Sequence, residues 1–61
     1  MEIWTIYYDK LLMGALDTPA SYTIDDVPKR YKAQCTAKAN ADLEAGVLPQ
    51  WQYDKMMNKV N

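Results

Sequence analysis

Three groups of residues have types and spacing that could do chemistry. Asp25 and Asp26 stand side by side, Cys35 is the one thiol of the chain, and Lys29, Arg30 and Lys32 form its densest group of cations. A carboxylate pair can share a proton for general acid-base work, a thiol can attack as a nucleophile, and clustered cations can hold phosphate. None of the three is completed by its neighbours. Asp25 and Asp26 sit where a helix begins, so capping and compensation of the helix dipole account for them. Cys35 has no histidine anywhere in the chain to lower its pKa, and it lies on an apolar ridge, which makes it a buried structural thiol. On a helix Lys29, Arg30 and Lys32 point in different directions, with two aspartates just before them, and read as a solvated face.

Further chemistry is excluded by what the chain lacks. Two glycines cannot make a glycine-rich phosphate loop, no acidic spacing forms a calcium loop, and a single cysteine without histidine offers neither a disulfide nor a zinc site. The elements of so short a chain cannot enclose a substrate pocket without giving up the core. The reading is therefore a protein that is not an enzyme, with no cofactor, no metal and no small-molecule substrate.

A chain of 61 residues is at most one domain, spanning 1 to 61. Its large apolar residues are two Trp, five Tyr and four Met, with leucine, isoleucine and valine making up the rest and no Phe. Such a core supplies about 3–5 kcal/mol. A protein partner or a homo-oligomer is then a natural source of further stability. Seven basic residues against eight acidic give a net charge of −1, which recruits neither nucleic acid nor an anionic membrane. No run approaches the ~20 apolar residues of a membrane span, and the N-terminus lacks the pattern of a signal peptide, so the expectation is a soluble protein made in a cytoplasm.

The elements that must position these residues are helices. In "MEIWTIYYDKLLMGAL" the start "IWTIYY" has strand-forming residues, but no second segment of comparable β-character exists to pair with it. As a helix over about 2 to 14, it stacks Ile3, Tyr7 and Leu11 on one ridge and Trp4, Tyr8 and Leu12 on the next, with Glu2, Thr5 and Asp9 opposite. Gly14 falls near its end, and "LDTPAS" is a connector. Thr23 with Asp26 resembles a capping box, and Pro28 is tolerated only in a first turn, so a short turn at 23 to 26 leads into a long helix from about 27 to 45.

Within that segment "YKAQCTAKANADLEAG" alternates apolar and polar like a strand, yet a strand of that length would extend about 50 Å, too far for so small a globule. Alanines carry the alternation. The residues left, Val27, Tyr31, Cys35 and Leu43, lie at multiples of four, with Ala39 completing a helical ridge that lets a neighbour approach closely. Gly46 stops the helix. The third helix runs from about 49 to 59, with Pro49 near its first position and Tyr53, Met56, Met57 and Val60 on one face. The fold class is thus all-α, a small three-helix domain.

"YTIDDV" (22 to 27) and "GVLPQWQY" (46 to 53), with "IYYDK" (6 to 10) upstream, resemble the XkdX family of very small proteins encoded in the tail-module region of phages of Gram-positive bacteria. The likeness covers about a third of the chain. The stretch between its two main motifs is longer here, and Pro49 stands where the family has a capping Thr. The resemblance implies a phage origin, hence the host cytoplasm or the virion as location, and transfers no biochemical activity.

What remains is binding. Trp51 lies opposite Val60 on the third helix and no apolar face accounts for it, so it is the candidate anchor of a protein-binding surface, with Gln50 and Asp54 as its polar rim. Folding back over Leu48 or Tyr31 is the alternative for Trp51. A polar stripe at Lys32, Thr36 and Asn40 ranks second as an interface. Two classes of role fit such a surface: a structural or assembly component of a phage particle, and a phage-encoded inhibitor that binds a host protein such as a defence nuclease.

Overall fold

The computed structural model describes residues 2 to 58, and within them the chain forms three α-helices and one 3-10 turn, with no strand. Helix α1 is Trp4–Gly14, the 3-10 turn is Ile24–Asp26, α2 is Lys29–Glu44 and α3 is Gln50–Met56. The all-α reading holds, and "IWTIYY" is helical. Each helix contacts the other two.

The ends differ from expectation for local reasons. Pro28 and Pro49 each stand one residue outside a helix, Pro28 as the N-cap of α2 and Pro49 as the N-cap of α3, so α2 begins two residues later than position 27. Helix α1 starts at Trp4 rather than at 2. Helix α3 ends at Met56, because Asn58 adopts a left-handed conformation at φ 58° and cannot continue it. Val60, assigned to its apolar face, lies outside the described residues. The 3-10 turn is closed by the Asp26 carboxylate, which accepts the Thr23 N–H at 3.0 Å in the expected capping box.

The core draws on all three helices and the loops between them: Tyr8, Leu11, Ala15, Val27, Cys35, Ala39, Leu48, Tyr53 and Met56. On α2 the ridge of fours is real from Tyr31 to Leu43, with Cys35 and Ala39 buried and Tyr31 and Leu43 partly buried, while Val27, expected on the same helix, is buried from the extended segment before it. Small side chains at 35 and 39 let α1 come close, and the Cys35 thiol donates to the Trp4 carbonyl at 3.6 Å. On α1 the two expected ridges pack into the core at Trp4, Tyr7, Tyr8, Leu11 and Leu12, and the correction is at Ile3. Residues four apart advance 40° beyond a full turn, so a line of fours drifts off the buried face, and Ile3 at its end is 55 % exposed. The innermost line, with Trp4 partly buried four residues before Tyr8, steps by three and four through Tyr8, Leu11 and Ala15, the residue that caps the helix. Tyr7, beside it, stacks on Tyr31 at 5.3 Å between centroids.

Gly46 ends α2 as expected, at φ 76°. The Val47 N–H donates to the Asp42 carbonyl at 3.0 Å and the Gly46 N–H to the Leu43 carbonyl at 3.2 Å, the two bonds of a Schellman turn. A Cβ at Gly46 would meet nothing within 4 Å, so the cost of a side chain here is conformational alone. Gly46→Ala is expected to lose about 1–2 kcal/mol in thermal melting, while D-alanine at 46, introduced by chemical synthesis, should leave the melting temperature unchanged. Equal losses for the two enantiomers would show that φ is not the reason.

Candidate functional site

Helix α3 is fixed on several sides, and its fixing decides where Trp51 points. Tyr53 and Met56 are buried in the core, and the Tyr53 hydroxyl donates to Asn40 Oδ1 on α2 at 2.6 Å. Gln52 Nε2 donates to the carbonyl of Leu12 at 3.1 Å, and the Lys55 ammonium donates to the carbonyl of Asp17. With those residues committed inward, Trp51 is left at the surface, 51 % exposed, with the Lys55 ammonium 6.0 Å from its ring centroid. It does not fold back into the core. Gln50 Nε2 donates to Asp54 Oδ1 at 2.8 Å, one turn along the helix, so the two rim residues hold each other beside the indole. All three expected site residues therefore lie on one short helix, and the structure brings them together.

The second-ranked stripe is less available than its spacing suggested. Lys32 and Thr36 are half-buried, and the Asn40 side chain is engaged by Tyr53.

The residues with catalytic types are occupied structurally. Cys35 is fully buried, and burial pushes its thiol up from the ordinary value, away from the reactive thiolate. Asp25 accepts from Asn58 Nδ2 at 3.0 Å, and Asp26 caps the 3-10 turn. No cluster of three metal-ligating side chains exists among the described residues. No helix among them is long and apolar enough to cross a membrane.

One surface was missed by sequence reasoning. The large exposed apolar side chains among the described residues are Ile3, Ile6, Met13, Leu16, Val47 and Trp51, and the first four run along the outer face of α1 and the turn that continues it. Their spacing of three, seven and three was visible in the sequence, but the wide apolar character of the segment made Glu2, Thr5 and Asp9 look like the whole of the outer face. Comparisons of the chain with protein-family models, with curated proteins and with solved structures find no match.

Proposed function

We propose that this chain is a non-enzymatic protein-binding domain that engages a partner protein through α3, with Trp51 as anchor and Gln50 and Asp54 as polar rim. The observation that carries the reading is a tryptophan held half-exposed on a helix whose neighbouring side chains are all tied down. A rigid, exposed indole loses little conformational freedom when a partner covers it, which is why Trp is enriched among residues that dominate binding. The resemblance to small proteins of phage tail modules makes a component of the phage particle the first partner to seek, and a host protein the second.

The test is paired affinity capture from phage-infected cells, with the natural chain and Trp51→Ala as baits. Trp51→Ala should weaken association by about 30-fold or more, equivalent to ~2 kcal/mol, while leaving the melting temperature nearly unchanged. The identity of the protein lost from the variant's capture separates a particle component from a host target. A variant that unfolds, or that captures the same proteins as well per folded molecule, would place Trp51 in the core or the interface elsewhere.

A further inference from the structure

We infer that the outer face of α1 is a self-association surface, on which the α1 of a second copy packs in parallel about a two-fold axis. The apolar line has the spacing such a pairing needs. Ile6 and Met13 are seven residues apart and so return to the same side of a helix, where each meets its own equivalent across the axis. Ile3, one residue before α1, and Leu16, two residues after it, add exposed apolar surface beyond its two ends, and the four side chains are 47 to 67 % exposed.

Charge selects the occupant and the orientation. Asp9 lies three residues after Ile6 and four before Met13, while Lys10 lies four after and three before, so the two straddle the apolar line on opposite flanks. A parallel two-fold exchanges the flanks, setting Asp9 of each copy against Lys10 of the other, twice. An antiparallel two-fold keeps the flanks and opposes Asp9 to Asp9 and Lys10 to Lys10. Within one chain the Asp9 carboxylate makes no hydrogen bond or ion pair among the described residues. Lys10 lies over the rings of Tyr7 and Tyr22, at 5.6 and 5.8 Å, which keeps its ammonium on its own flank. The pairing is centred on α1, and the surface proposed for another protein is centred on Trp51 of α3. A face of this length is at the small end of stable interfaces, so the dimer is a weak one.

The experiment is sedimentation equilibrium of the whole chain from low micromolar to about 1 mM, a range suited to weak association. The mass should rise from 7.0 kDa towards twice that value. Asp9→Lys should weaken association by about tenfold or more, because two attractive pairs become repulsive, and Asp9→Lys with Lys10→Asp in one chain should restore it. Ile6→Lys should abolish it while circular dichroism and melting of the dilute chain stay unchanged, since Ile6 is not in the core. A mass fixed at 7.0 kDa throughout, or association unaffected by Asp9→Lys, would overturn the proposal, as would its loss in Trp51→Ala.

Discussion

Replacing Gly14 with alanine is expected to lower the stability of the domain by about 2–3 kcal/mol or more and its melting temperature by roughly 10–20 °C, the larger part of what so small a core supplies. A Cβ built at Gly14 would stand 2.6 Å from the Tyr22 Cβ, 2.8 Å from its backbone nitrogen and 3.0 Å from its carbonyl oxygen. Carbon atoms in good contact are separated by about 3.5–4.0 Å, and backbone cannot swing aside as a long side chain can. The connector must therefore lift off α1. Lifting it would also break the bond from the Ser21 N–H to the Gly14 carbonyl at 3.1 Å. Alanine is the better helix former by about 1 kcal/mol, so the sign of the effect is a contest between propensity and overlap. Overlap wins because it involves three atoms at once. Tyr22→Gly in the same chain should fail to rescue the variant, since it removes the Cβ and leaves the nitrogen and oxygen in place. A Gly14→Ala chain that melts at or above the natural one would show that the connector does not lie on α1 in solution.

Gly14 also shows where sequence reasoning stops. It was legible as the end of a helix, because a glycine after an apolar run is a stop signal, but its use here is to let a residue eight positions later lie against it. Contacts of that kind carry no local pattern. The ridge Tyr31, Cys35, Ala39 and Leu43 was legible because one helix face imposes one spacing, and burial of Cys35 followed from its place on it, whereas Val27 shares the interval but lies before the helix. Trp51 was legible as a surface residue because the opposite face of its helix was already claimed by Tyr53 and Met56. Ile3, Ile6, Met13 and Leu16 were not. Where nearly every position is apolar, hydrophobicity alone does not say which stripe is buried, and only the geometry of α2 and α3 against α1 selects Tyr8, Leu11 and Ala15. The early end of α3 rests on the backbone of Asn58, which its residue type permits without requiring.

The other contact invisible in the sequence joins residues 34 positions apart and has the second large expected effect. The Tyr8 hydroxyl, on a side chain buried between helices, donates to Asp42 Oδ2 at 2.8 Å, and Lys38 Nζ holds Oδ1 at 3.0 Å. Lys38 is half-exposed, so its ion pair contributes below about 1 kcal/mol, and the tyrosine bond, to a carboxylate only 17 % exposed, dominates. Tyr8→Phe should cost about 1–2 kcal/mol, and Asp42→Ala about 2–3, the latter more because it leaves a buried hydroxyl without its acceptor.

The pH dependence follows from the same bond. Its hydrogen bond from Tyr8, assisted by Lys38 and opposed by burial, holds the Asp42 carboxyl below its ordinary 3.8. That stabilisation is therefore complete above 3.8 and is lost as pH falls through the lower folded value. Burial first, and Asp42 second, push the Tyr8 hydroxyl above its ordinary 10.0, so its contribution is complete below 10.0 and is lost as pH rises beyond it. Urea unfolding from about pH 2.5 to 11 should show a plateau with a fall at each end. Tyr8→Phe should lower the plateau and flatten both falls, leaving on the alkaline side the slope due to Cys35 and Tyr22, whose thiol and hydroxyl are shifted in the same direction, chiefly by burial. An acid limb identical in Tyr8→Phe and the natural chain would mean that Asp42 is held by Lys38 alone and that α1 and α2 are joined by packing without this bond.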